Sequence, residues 1–123
     1  MALALQQGRT QVRLASGLDI AAGLWMMAAP FLLGYTAATG AFWNSIIAGA
    51  AIVLFASSRE TAEGYKHATP SWISAAIGAW LLVSPMVLGF SAISVAFWNH
   101  IILGIAVIAF ALWGALSTPH ENA

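Results

Sequence analysis

Apolar residues gather into four long blocks, broken by short stretches rich in glycine or polar residues. The blocks are "ASGLDIAAGLWMMAAPFLLG" (Ala15–Gly34), "FWNSIIAGAAIVLFASS" (Phe42–Ser58), "SWISAAIGAWLLVSPMVLG" (Ser71–Gly89) and "FWNHIILGIAVIAFALWGAL" (Phe97–Leu116). Each is close to the roughly 20 residues that cross a hydrocarbon core at about 1.5 Å per residue. Lipid tolerates only helices and closed barrels, because no water is there to satisfy the backbone. Barrel strands alternate in polarity over about 10 residues. These blocks are longer and uniformly apolar, so the pattern predicts four transmembrane helices.

The pattern is also written twice. "APFLLGYTAATGAFWNSIIAG" (Ala29–Gly49) returns 55 positions later as "SPMVLGFSAISVAFWNHIILG" (Ser84–Gly104). Ser16–Ala56 aligns with Ser71–Ala111 without a gap, with 18 of 41 positions identical. Trp25/Trp80, Pro30/Pro85, Trp43/Trp98 and Asn44/Asn99 are among the identities, and they do not follow from an alanine-rich composition. Each copy holds two helices, so both copies start on the same membrane face. The fold class read from the chain is an all-α membrane protein, with four helices forming two parallel tandem two-helix repeats about a pseudo-two-fold axis. Repeats of inverted topology would have a different axis. The segments are an N-terminal segment 1–14, a first repeat 15–58, a linker 59–70, a second repeat 71–116 and a tail 117–123.

Composition strengthens the membrane reading. Hydrophobic residues make up 61% of the chain and charged ones 7%, against roughly 25% charged in soluble domains. Arg9 and Arg13 precede the first block, while Arg59 and Lys66 lie between the second and third. The stretches 35–41 and 90–96 carry no charge. The positive-inside bias then places both termini and the linker in the cytoplasm. Arginines before an apolar block also suggest a signal peptide, but Ala15–Gly34 exceeds the roughly 7–15 residues of a typical signal core. It is read as a retained span. "SRETAEGYKHATPS" (58–71) holds four of the eight charged residues and reads as a solvated linker. Zero net charge gives nucleic-acid binding no electrostatic support. The absence of cysteine removes thiol chemistry and disulfides.

The distinctive residues have a plain and a functional reading. Pro30 and Pro85 crowd the carbonyls of Met26 and Leu81 and leave them without a helical donor. This tightens the helix toward its loop or, alternatively, offers carbonyls to an ion. Trp43 and Trp98 open the second and fourth spans and suit the headgroup level, or else stack on a pigment or quinone. Gly23, Gly49, Gly78 and Gly104 put a glycine inside every helix, and Ser45/Gly49 and Ser74/Gly78 are small-x-x-x-small pairs, which let helices approach closely in lipid. Asn44 and Asn99 follow the tryptophans and can bond backbone groups at helix ends, with partners expected inside their own hairpins. His100 is the lone histidine of a span. It is a candidate haem or pigment ligand, although its place near the span's start favours an interfacial, hydrogen-bonded side chain. Asp19 lies near the inner start of the first span, where it can face water and the helix dipole or relay protons.

The order of elements, Pro then Leu-Gly, a short loop, Phe-Trp-Asn and Ile-Ile-x-Gly, resembles the SPW repeat family of small prokaryotic membrane proteins. The tripeptide that names the family reads Ser84-Pro85-Met86 in one copy and Ala29-Pro30-Phe31 in the other. Its tryptophan is missing from both and its serine from the first. The resemblance implies a two-helix repeat in tandem in a prokaryotic inner membrane, and brings no reaction, substrate or cofactor with it.

No phosphate loop, paired carboxylates, nucleophile triad or metal-ligand spacing is present, so an enzyme is not expected, nor a bound cofactor or metal. The expected role is structural or accessory, packing in the bilayer as a homo-oligomer or within a larger membrane complex. The alternatives are an oligomeric channel or transporter and, less favoured, a pigment or haem protein built on His100. The orientation is directly testable. Single cysteines at Lys66 and Thr39 should react with an impermeant thiol reagent from opposite sides of the membrane, and reaction of both from one side would overturn the two-plus-two topology.

Overall fold

The computed structural model describes residues 2–61 and 67–118, with side chains from Arg9 onward. Lys66, Glu63 and the tail residues His120 and Glu121 lie outside the described residues, so their expected placements are not addressed by it. Four helices follow one another: α1 Ala2–Leu33, α2 Thr39–Ser58, α3 Thr69–Val87 and α4 Ser94–Leu116. All four are long and apolar enough to cross a membrane, the candidate span in α1 being Arg9–Leu33. The helices begin earlier than the apolar blocks do. α1 already runs from Ala2, and α2 and α4 start three residues before Phe42 and Phe97; neither Thr39-Gly-Ala nor Ser94-Val-Ala contains a proline. Pro70 falls in the first turn of α3, where its missing N–H has no helical acceptor in any case.

The helices form a ring in which α1 packs on α2, α2 on α3, α3 on α4 and α4 on α1. The two hairpin interfaces are the most extensive and α2–α3 the least. Both hairpins close through glycine. A Cβ added to Gly49 would lie 2.6 Å from the Gly23 carbonyl oxygen, and one added to Gly23 would lie 2.8 Å from that of Gly49. In the second hairpin the Gly104 position stands 2.8 Å from the Gly78 oxygen, and that of Gly78 stands 3.0 Å from the Gly104 oxygen. The backbones therefore touch directly, which small residues permit where hiding apolar surface from lipid gives no driving force.

The helix ends preceding the short loops share a second device. Gly34 and Gly89 have φ of 81° and 78°. This left-handed conformation turns the next amide back, so that Tyr35 N–H donates to the Pro30 carbonyl (3.0 Å) and Phe90 N–H to that of Pro85 (2.9 Å). That is a Schellman closure, which favours glycine at the turn and an apolar residue after it. Tyr35 and Phe90 accordingly fold inward and are buried with Ala29, Ala41 and Ala96. The glycine closes each helix, and the following aromatic plugs that end of the bundle.

The outside is apolar. Phe31, Leu32, Ile47, Leu54, Met86 and Leu116 are each at least 64% exposed, a surface suited to lipid and not to water. Trp43 and Trp98 are exposed at the starts of α2 and α4, and Trp72 and Trp113 near the opposite end of the bundle. Exposed indoles at both ends match the two aromatic belts of a membrane protein.

Alanine at Gly49 or Gly104 should lower stability by about 1–3 kcal/mol, as overpacked cores do, with leucine worse. Alanine at Gly17 or Gly40, where the nearest atoms lie 3.7 and 3.6 Å from the added Cβ, should be tolerated. Unfolding in detergent measures both, and equal stability of all four alanine variants would show that the hairpins do not depend on backbone contact.

Candidate functional site

The interior of the bundle is layered. A central apolar cluster of Ala22, Met26, Ala48, Ile52, Leu81 and Val107, flanked by Ile77 and Leu103, separates two groups of buried polar side chains. One group lies toward the short loops. The other lies toward the end that carries Arg13 and Arg59, called here the basic end.

At the short-loop end, the asparagines bond between the copies. Asn99 accepts from Trp25 Nε1 (2.9 Å) and donates to the Tyr35 hydroxyl (3.1 Å) and Met26 Sδ (3.3 Å). Asn44 accepts from Trp80 Nε1 (2.7 Å) and donates to Ser84 Oγ (3.0 Å). All five partners belong to the other repeat, so the expectation of partners within each hairpin is corrected. The reason is helical geometry. Ser45 and His100, one position on, are fully buried inside the bundle, so each asparagine is turned by about 100° onto the flank that meets the neighbouring hairpin. The two sites are also not equal, since Asn99 is buried with three partners while Asn44 is half-buried with two. Trp25 and Trp80, which had served only to mark the repeat, prove to be the donors that join it.

Ser84 explains the serine of the Ser-Pro pair. Pro85 leaves the Leu81 carbonyl without its N–H donor, and the Ser84 hydroxyl donates to that oxygen at 3.1 Å. Its own oxygen accepts from Asn44. In the first copy Ala29 cannot do this, and Asn99 bonds Tyr35 and Met26 instead. Tyr35 also shares a 2.8 Å hydrogen bond with Ser45. Burial pushes the Tyr35 phenol above its ordinary pKa, against the opposing effect of its bonds to Ser45 and Asn99.

His100 is fully buried within the bundle, in the second turn of α4 near the short loops. Its Nδ1 lies 2.8 Å from the Ala96 carbonyl oxygen, so Nδ1 carries the proton and Nε2 presents a lone pair, which has no partner among the described residues. Phe90 covers the ring at a centroid distance of 4.7 Å. Pro30 and Pro85 are buried within α1 and α3. Trp43 and Trp98 pack edge-on against Phe42 and Phe97.

The basic end holds the second correction. Arg59 is not solvated but fully buried. Its guanidinium donates to Ser71 Oγ and Thr118 Oγ1 and, at 3.5 Å, to the Gly114 carbonyl of the last turn of α4. A cation is favoured at helix C-termini, where carbonyls lack helical donors. Burial lowers its pKa to about 10, which leaves it charged at neutral pH. Gly114 is the residue that matches Arg59 in the second copy. A Cβ there would come within 3.1 Å of Ser71 Oγ and 3.5 Å of Ala15 Cβ. One copy thus supplies the guanidinium and the other a carbonyl that accepts from it. Arg13 pairs with Glu60 at 3.3 Å on the exposed rim, a contact worth little on its own. Asp19 and Ser74, matched residues of α1 and α3, are both buried in this half of the bundle.

A groove of about 360 Å³ opens on the flank of the bundle between α2 and α3, lined chiefly by Ile47, Ala48, Ala51, Ile73, Ala76 and Trp80. It lies where the ring is least tightly packed. No group of three or more metal-ligating side chains occurs among the described residues.

The apolar exterior, the four spanning helices and the interior polar joints define a multi-pass α-helical membrane protein. The model of the SPW repeat domain matches residues 13–114, and the chain belongs to that family. No curated protein and no solved structure matches it.

The Trp25–Asn99 joint can be measured by a double-mutant cycle. Trp25→Phe and Asn99→Leu should each destabilise the bundle, with a coupling of about 0.5–1.5 kcal/mol, in the range of membrane hydrogen bonds. Asn99→Leu should cost more than Asn44→Leu. Strict additivity of the first pair would remove the bond as a stabilising link.

Proposed function

We propose that this chain is a structural or accessory subunit of a prokaryotic inner membrane, without enzymatic activity, which acts by packing against other transmembrane segments. The single observation that carries this reading is the groove between α2 and α3. It is apolar, it lies on the flank of the bundle, and its floor contains Ala48, Ala51 and Ala76, small residues of the kind that admit a neighbouring helix. The interior supports the same reading. The central apolar cluster fills the bundle between its two polar groups and leaves the short-loop end without a polar route to the basic end. Copies of this chain or subunits of a larger complex are the proposed occupants, with the termini and Arg59 facing the cytoplasm.

A second reading, an oligomeric channel or transporter, draws on the polar groups buried at both ends of the bundle. Its path would have to run between chains. The native absence of cysteine makes the test clean. Cysteine at Ala51 or Ala76 should cross-link in native membranes to a neighbouring polypeptide, while cysteine on the opposite flank at Leu24 should not. Equal cross-linking at all three positions, or at none, counts against the groove as an interface. Ion or solute flux through liposomes holding the purified protein would favour the channel.

A further inference from the structure

We propose that Asp19 and Ser74 form a proton-binding site in the bundle interior that exchanges with solvent only through the basic end. The hairpin contacts set the level of each residue. Gly23 meets Gly49 and Arg13 meets Glu60, which puts Asp19 level with Val53. Gly78 meets Gly104, which puts Ser74 level with Ile108. A Cβ at Gly114 would stand 3.1 Å from Ser71 Oγ and 3.5 Å from Ala15 Cβ, so Ala15 of α1 and Ser71 of α3 lie at one level, and Asp19 and Ser74, about one turn further along each helix, share a layer. They stand on α1 and α3, the opposite corners of the ring, and both face inward at 3% and 1% exposure.

Neither side chain is satisfied. Asp19 Oδ1 and Ser74 Oγ are buried without a hydrogen-bond partner among the described residues. Two such atoms in one layer, one an acid and the other a hydroxyl that can donate or accept, are complementary. An intramembrane carboxyl without a contacting cation is a costly feature to keep unless it has a use. Protonated, Asp19 is neutral and offers an O–H toward Ser74 Oγ. On release, the O–H bond breaks, the electron pair stays on the carboxylate, and the proton passes to water at the basic end.

The surroundings make access one-sided. Toward the short loops lie Ala22, Met26 and Leu81, whose side chains carry no titratable group. Toward the basic end lie Ser16, Ser71 and the guanidinium of Arg59. The described titratable groups there are Arg9 and Arg13 on α1, Arg59 and Glu60 at the end of α2, and the exposed His67 just before α3. On this side α3 and α4 turn inward the hydroxyls of Ser71, Ser74 and Thr118, and His100 lies beyond the apolar cluster. Arg59, bonded to Ser71 Oγ, is the buried cation on the exit side.

The test uses dicyclohexylcarbodiimide, an apolar reagent that forms a stable adduct with protonated carboxyl groups. The chain has four acids, and among the described residues Asp19 alone lies within a span. In sealed vesicles of known orientation, fragment mass spectrometry should find the adduct on Asp19. It should decline as the pH bathing the basic end is raised and ignore the pH on the other side. Ser74→Ala should reduce it by about threefold at fixed pH, the effect of one average membrane hydrogen bond. Independently of any variant that misfolds, the infrared band of a protonated carboxylic acid should be present in the wild-type protein and respond to the same side. An unlabelled Asp19 that reacts only after unfolding would overturn the site. Control by the pH of the short-loop side would overturn the one-sided access, unchanged labelling in Ser74→Ala would remove Ser74 from the site, and protection by sodium at constant pH would assign it to a metal cation instead.

Discussion

In hydrocarbon, a helix gains little by hiding leucine from its surroundings, because the surroundings are as apolar as leucine. Association must come from close packing and from polar groups that cannot be left alone. The bundle answers with two kinds of contact, at different interfaces. Within each hairpin, glycine faces glycine and the backbones touch, Gly23 with Gly49 and Gly78 with Gly104. Between hairpins, an indole reaches an asparagine, Trp25 to Asn99 and Trp80 to Asn44. A hairpin by itself would close on its glycines but leave its asparagine and tryptophan without these partners in lipid. A second hairpin of the same design supplies both, which gives the duplication a physical purpose.

The copies diverge where the interior needs them to. The matched pairs Asp19/Ser74, Ser45/His100, Ala29/Ser84 and Tyr35/Phe90 all point inward, and Arg59 donates to the carbonyl of its match, Gly114. Two identical arginines could not both occupy the basic end, and two tyrosines would need two sets of acceptors at the other. A duplicated core has to be made complementary, because identical bulky or charged groups would meet around its centre. The closely packed joints, by contrast, recur unchanged as glycine, proline, tryptophan and asparagine.

This division orders the functional reading of an SPW repeat protein. The joints that recur in both copies build the bundle, and the groove between α2 and α3 is where the ring is left loose. The unmatched polar residues stand apart from both. Asp19 and His100 each bury an atom without a partner among the described residues, and each sits on the far side of the apolar cluster from the other. Structure alone accounts for the serine before Pro85, which replaces a donor the proline removed. It does not account in the same way for Asp19.

The sequence alone carried the number of helices, their pairing into repeats and the glycines of their contacts. Each depends on length, composition or periodicity, and those act along a single chain segment. The prolines near the ends of the first and third helices were also legible, since few residues disturb a helix as proline does. Three things were decided by the tertiary structure. Asn44 and Asn99 bond across copies and not within them, because a turn of about 100° per residue sets which neighbour a flank meets. Arg59, one position past the last turn of α2, is drawn inside by the carbonyl and hydroxyls that α3 and α4 bring to it. His100 is enclosed because Phe90, ten residues earlier, is folded over it by the turn at Gly89. Charge and hydropathy describe what a residue tolerates, whereas its partner is chosen by which helices the packing makes neighbours.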